Sequence, residues 1–276
     1  MLTRLTASVP PDEISTELMP RIEELGLVDN CRQLAEEGYT IIENVASPEF
    51  TDRLRDTMLR TTPVDESGSG SGMMMLGKDP AYAEAVLNPK VMAMAEFSVG
   101  RGGLIGSVIS TVHAAGRPAL ALLSDQEVFP APFPAHNMML TACWATDEFS
   151  REGGCTRVVP GTHRHLRHPT EDEVAADTGA IPIACPAGSV ALWDGRVWHG
   201  NYTRELAGKR VVLHATYYRL LMRPGENYSD VADELIAAYG APMSQLLGRE
   251  DFLDKKDFDY VNDYDTFVET LNNAKT

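Results

Sequence analysis

Basic residues are in short supply. Against 40 aspartates and glutamates the chain carries 24 lysines and arginines, a formal net charge of −16. Nucleic-acid binding rests on clustered Lys and Arg opposite phosphates, and attraction to an anionic membrane surface needs the same sign of charge, so neither partner is expected. Cysteine is sparse too. Cys31, Cys143, Cys155 and Cys185 are widely spread with no CxxC pair. That excludes a small disulfide framework and reads as reduced, mostly core-filling thiols. No apolar run approaches the ~20 residues that span a bilayer. The opening MLTRLTASVPPDEIS has no apolar leader core, and the closing NNAKT is not a peroxisomal address, so a cytoplasmic protein is the expectation. No internal repeat stands out. What is present is 276 residues with 43% hydrophobic content, enough for one large core.

Three textures follow one another, and a single domain over 1–276 with three parts is expected: helical and strand support over 1–100, a β-rich core over 101–222 and an acidic helical cover over 223–276. In the first part, residues 29–38 read as a helix stopped by Gly38, followed by a strand at YTIIENV (39–45). Then comes SPEFTDRLRDTM. Ser47 is a natural N-cap, Pro48 suits the first helical position, and Phe50, Leu54 and Met58 recur every fourth residue, which predicts an amphipathic helix. DESGSGSG (65–72) is the one low-complexity segment and reads as a flexible surface connector, with a mobile lid over a pocket as the sharper alternative.

From residue 104 the runs LIGSVISTV, ALALLS, NMMLTACWATD, CTRVVP, SVALWD and KRVVLHATYYRL are short, β-rich and punctuated by EGG, PGTH, PAGS and LAGK. This density predicts an antiparallel sandwich or barrel. After Pro224 the chain turns helical: Val231, Leu235, Ile236 and Tyr239 form a stripe ending at Gly240, and residues 251–269 alternate acids with aromatics as a covering helix or edge contact.

Four pieces fall in order inside the β region: Asp125 at the end of an apolar run, GGCTRVVPGTH, WDGRVWHG and KRVVLHATYY. Singly, Asp125 reads as a strand-end cap, His199 as a core histidine and Arg210 as a surface charge. Together they suit an open metal site for oxygen chemistry, which needs a carboxylate and imidazoles on one face of the ion. An arginine then meets a co-substrate carboxylate with two parallel hydrogen bonds. Alternation adds that Leu123 shares a strand face with Asp125, and that Val212, His214 and Thr216 share one with Arg210. His214 reads first as a hydrogen-bonded core histidine, with a substrate contact as the alternative.

EEGYTIIENVASPEF (36–50), FPAPFPAHNMMLTACWATDEFSREGGCTRVVPGTHR (129–164) and WHGNYTRELAGKR (198–210) resemble the phytanoyl-CoA dioxygenase-like branch of the Fe(II)/2-oxoglutarate oxygenases. The resemblance implies a mainly β fold, a double-stranded β-helix (jelly roll, cupin-like) with helices packed on one sheet. It implies Fe(II), 2-oxoglutarate and O2 as cofactor and co-substrates. The family holds iron with an HxD pair and a distal His, and an Arg some ten residues further on binds the far carboxylate of 2-oxoglutarate. Asp125 matches the carboxylate ligand, His199 the distal His and Arg210 the anchor. Trp144 matches a strand Trp and reads as a pocket wall or packing residue.

The first His of HxD falls on Leu123, where the pattern fails, and Gly153 stands where the family often has Asn. His113 and His136 are the sequence-near candidates to replace the missing imidazole. HRHLRH (163–168) has no carboxylate beside it and reads as a solvated basic loop, or as a contact for a phosphate-bearing substrate. The carboxylate is kept here and one His lost, the reverse of the halogenase relatives, so halogenation is not suggested. The expected activity is hydroxylation of a small organic substrate by a depleted iron site. The alternative is a non-catalytic binding protein that keeps Arg210 and holds a 2-oxoglutarate-like carboxylate. The chain's acidity disfavours a highly anionic CoA thioester.

Overall fold

The structure is a computed structural model that describes residues 13–177 and 179–250. The capping signals near the start work locally as expected. Two helices, α1 (Met19–Glu24) and α2 (Val28–Glu37), lead to Gly38, whose φ of 80° gives the left-handed turn that ends α2 and frees the chain for β1 (Tyr39–Ile42). Helix α3 (Pro48–Thr61) starts with the Ser47 hydroxyl accepting from the Phe50 N–H, and it buries Leu54 and Met58. Asp79 and Asn88 cap α4 (Pro80–Val86) and α5 (Pro89–Val99) in the same way, each with Pro at the first helical position.

The β-rich region and two earlier segments build two antiparallel sheets. The larger runs β1–β8–β5–β10–β3–β2, where β2 is Gly70–Gly72, β3 Leu104–Ala114, β5 Met139–Ala145, β8 Val190–Asp194 and β10 Lys209–Tyr218. The smaller runs β4–β9–β6–β7, with β4 Leu120–Leu123, β6 Thr156–Val159, β7 Ile181–Pro182 and β9 Trp198–Asn201; α6 (Glu171–Ala176) lies between β6 and β7. The sheets face one another as a double-stranded β-helix. One core lies between the larger sheet and the helices, including α7 (Ala232–Tyr239) and α8 (Ala241–Leu246). A second, smaller core lies between the sheets, around Cys143, Phe149, Val158, Trp193 and Val212.

Strand alternation sorts side chains between these spaces. Along β10, Val211, Leu213, Ala215 and Tyr217 face the helices, while Arg210, His214 and Thr216 line an inner cavity. Along β5, Leu140, Ala142 and Trp144 face outward and Thr141 and Cys143 inward.

Two expectations from composition are corrected in part. The Gly/Ser segment is not a free connector: Asp65 turns it by accepting from the Ser67 N–H, the Ser69 hydroxyl accepts from the Ala114 N–H, and β2 pairs with β3. HRHLRH is solvated only in part: Arg164 and His165 are exposed, while His163 is buried. It forms a short 3-10 turn that buries His163 against the Ala35 carbonyl, and His165 lies edge-on to Trp198. The expected cover over 251–269 lies outside the described residues.

Glu226 ties the segment after β2 to the sheet. This buried carboxylate accepts from the Met74 N–H at 2.8 Å, the Val108 N–H at 2.7 Å and the Tyr228 hydroxyl. Glu226→Ala strands these donors and is expected to cost about 3 kcal/mol in urea unfolding, since each buried donor left unpaired costs ~1–3 kcal/mol. A loss under 1 kcal/mol would mean that water replaces the carboxylate.

Candidate active site

β4 ends at Leu123, and the chain turns at Ser124 into a 3-10 turn, Asp125–Val128. The Ser124 hydroxyl donates to the Gly195 carbonyl, which fixes the turn over the β8–β9 connection. Asp125 therefore sits just beyond the strand rather than on it. Across the sheet, Leu123 pairs with His199 on β9. The strands approach closely because residue 200 is glycine: a Cβ there would lie 2.5 Å from the Leu120 carbonyl oxygen.

Asp125 and His199 converge. Oδ1 of Asp125 is 3.3 Å from Nε2 of His199. Its Oδ2 accepts from the Trp193 indole at 2.8 Å and from the Thr141 hydroxyl at 2.9 Å. The other ring nitrogen, His199 Nδ1, lies 3.2 Å from the Val197 carbonyl, and the Trp193 ring lies 5.0 Å from the imidazole. Burial alone would raise the Asp125 pKa, but His199 and the donors from Trp193 and Thr141 outweigh it and hold the carboxyl below its usual range. Burial likewise disfavours charge on His199, and Asp125 more than offsets that, so the imidazole pKa is raised.

Arg210 lies buried in the same cavity. Nη1 donates to the Gly154 carbonyl at 2.8 Å and lies 3.3 Å from His113 Nδ1; Nη2 is 3.5 Å from the Thr156 hydroxyl. The guanidinium lies over the Phe149 ring at 4.7 Å, and its Nε is buried without a hydrogen-bond partner. Burial pulls its pKa down from the ordinary value, yet among the described residues it has no carboxylate in ion-pair contact. A buried cation in that state needs an anion.

The cavity, about 900 Å³, is lined by both sheets and by Ser67, Ser69 and Ser71 of the low-complexity segment. It holds Leu123, Asp125, His199, Arg210 and His214 together. His214 stands 5.9 Å from Trp193 with its ring on the cavity wall, and burial, then Arg210, pushes its pKa down to about 4.

Not every expected residue is there. Trp144 is not a pocket wall: it faces the helices and packs against Phe50 at 5.8 Å, because even positions of β5 point outward. His113 stands beside Arg210 rather than with Asp125 and His199, and His136 is not among the lining residues. Sequence reasoning missed Trp193 and Thr141, the groups that orient Asp125. The inward alternation of SVALWD was the available signal for Trp193, but it needs the register against β5 to be read.

The fit to the implied groups is uneven. Arg210 and its orphaned Nε suit a carboxylate. For iron, the donor types are right, one carboxylate and one imidazole on one side of a cavity, but the third corner is the apolar Leu123. Among the described residues no three His, Cys, Asp or Glu side chains are grouped to hold a metal.

The family model for phytanoyl-CoA dioxygenase (PhyH) matches residues 34–204. An uncharacterized protein of Mycobacterium tuberculosis is 24% identical over 228 residues, covering 76% of this chain and 82% of the relative. Among solved structures, EctD from S. alaskensis with 2-oxoglutarate and 5-hydroxyectoine aligns at TM-score 0.60 and 20% identity, over 72% of this chain and 79% of that one. The epimerase SnoN, in complex with Fe3+, alpha ketoglutarate and nogalamycin RO, aligns at TM-score 0.59 and 18% identity, over 71% of this chain and 84% of that one. At these identities the two structures share the fold.

All four cysteines are buried and free, and burial pushes their pKa values up, to about 12 for Cys31, Cys143 and Cys185 and about 11 for Cys155. Only the thiolate reacts, so at pH 8 the folded protein is expected to leave all four unmodified by an aromatic disulfide reagent. Unfolding should release four equivalents. Rapid modification of the native protein at pH 8 would contradict this packing.

Proposed function

The chain belongs to the phytanoyl-CoA dioxygenase family, and on that premise we propose that it is an Fe(II)/2-oxoglutarate-dependent oxygenase of a small organic molecule with a two-residue iron site. Asp125 and His199 would hold the metal, and Arg210 would anchor the far carboxylate of 2-oxoglutarate. One observation carries the reading: a buried arginine with no anionic partner among the described residues shares a cavity with a carboxylate–imidazole pair.

The bound iron and co-substrate supply O2 activation coupled to decarboxylation of 2-oxoglutarate to succinate. The chain's own residues do the positioning. Trp193 and Thr141 fix the Asp125 carboxylate by donating to Oδ2, which leaves Oδ1 toward His199. Gly154 and Phe149 hold the Arg210 guanidinium in place. Leu123 presents hydrocarbon where the family's other imidazole stands, so the protein supplies one donor fewer. The cavity lies at the upper end of the range for drug-sized ligands, ~300–1,000 Å³, which suits a co-substrate with a small substrate beside it. Hydroxylation is the proposed outcome; SnoN, which shares the fold, is an epimerase.

Leu123 also favours a second reading, a binding protein that holds a 2-oxoglutarate-like carboxylate at Arg210 without turnover. Anaerobic Fe(II) titration and 2-oxoglutarate-dependent succinate formation separate the two. The oxygenase reading expects iron binding and succinate from the chain as it stands, with Leu123→His tightening iron by at least the ~10–100-fold that a partner of a metal ligand contributes. No iron binding and no succinate from the unaltered chain, with 2-oxoglutarate still bound, would leave the binding protein. Arg210→Ala is expected to raise the 2-oxoglutarate requirement about 100-fold or more, the scale for truncating one arm of a buried charge pair. An unchanged requirement would remove Arg210 from the anchor.

A further inference from the structure

His113 is an unusual neighbour for an anchoring arginine. It lies on β3 directly across from Arg210 on β10, and its Nδ1 is 3.3 Å from Arg210 Nη1. Arginine has only donors, so at this contact Nδ1 must be the acceptor. That fixes the tautomer: the single proton of the neutral ring sits on Nε2. Burial first, and then Arg210, drive the His113 pKa down to about 3, in keeping with a ring that stays neutral through the physiological range.

The ring lines the same cavity as Arg210. Its Nδ1 is occupied, and among the described residues its Nε2 makes no hydrogen bond to the protein and is not sealed from the cavity. Arg210 Nη1 is fully used, with one proton toward the Gly154 carbonyl and one toward His113. The hydrogen-bonding capacity left for an anion is the rest of the guanidinium, with Thr156 beside it, and the Nε2–H of His113.

We propose that His113 is the second arm of the carboxylate anchor: Arg210 fixes its tautomer, and its Nε2–H donates to the carboxylate that Arg210 pairs with. This rests on the reading of Arg210 as a carboxylate anchor and extends it. The site then recognises its anion with one full positive charge and one neutral donor held at a set angle to it. Such a pair favours a planar carboxylate over a spherical anion such as chloride.

The test uses two substitutions that divide the ring's two functions. His113→Asn places an amide near the Nδ1 position and keeps an acceptor for Arg210, but it does not reach as far as Nε2. His113→Gln extends an amide toward the Nε2 position and restores a donor there. Binding of 2-oxoglutarate and of glutarate, which has both carboxylates but no keto oxygen, is measured by calorimetry on the full chain, with thermal melts to confirm folding.

A hydrogen bond to a charged group is worth enough that His113→Asn should weaken both ligands about tenfold or more. His113→Gln should bind within about threefold of the unaltered protein. Equal weakening of the two ligands places the effect at a carboxylate rather than at the keto group. If the unaltered protein binds and Arg210→Ala does not, but His113→Asn binds as tightly as the original, the proposal for His113 is overturned and the Arg210 anchor stands. If Gln weakens binding as much as Asn while both variants melt normally, the donor role is likewise overturned. If the unaltered protein binds neither ligand, the anchor reading itself fails.

Discussion

The central strand β10 must serve two solvents at once. It is bonded on both sides, to β3 and to β5, and its side chains alternate between a hydrocarbon layer under the helices and a polar cavity between the sheets. Val211, Leu213, Ala215 and Tyr217 secure it to the helices; Arg210, His214 and Thr216 are thereby committed to the interior. A shift of register by one residue would exchange the two sets, which would bury the arginine in the helix-facing core and expose hydrocarbon to the cavity. The charged floor of the site is therefore held by the apolar face behind it.

Two opposite departures from ordinary protein interiors meet in this cavity. At one place there is a cation that meets no anion among the described residues; at another there is the hydrocarbon of Leu123, where the resemblance implies an imidazole. The first is a demand that the protein leaves for a ligand to meet, since Gly154, Thr156, His113 and Phe149 contribute no countercharge. The second leaves the scaffold undisturbed: Leu123 pairs with His199, and β4 leads into Asp125 beside it. The evenly matched donors on Asp125 show that the remaining carboxylate is still oriented rather than left to drift.

The local signals along the chain were readable. Ser47 with Pro48, Gly38 and Gly240 mark helix ends because capping is settled by the nearest few residues. The shared face of KRVVLHATYY follows from a period of two, whereas the pairing of His199 with Arg210 came from the family resemblance. DESGSGSG misled because composition speaks only to intrinsic flexibility, whereas its order comes from pairing with β3, about forty residues away. For Trp144 the packing alternative holds; the sequence left both open because alternation says which residues share a face, not which face looks inward. The same rule that puts Trp144 under α3 puts Trp193 on the cavity, and only the register of β5 against β8 decides between them.

By itself the sequence carried the family resemblance, the β-rich core, the candidate carboxylate, imidazole and arginine, and Leu123 at the position where the resemblance implies an imidazole. These are matters of residue identity and short spacing. The tertiary structure alone decided that Asp125 is oriented by Trp193 and Thr141, that Arg210 meets no carboxylate among the described residues, that the serine-rich segment is a cavity wall, and that His113 stands with Arg210 rather than with Asp125 and His199. Each of those depends on strands that are distant in the chain lying side by side, and pairing at that range is fixed by the packing of the whole fold rather than by any local pattern.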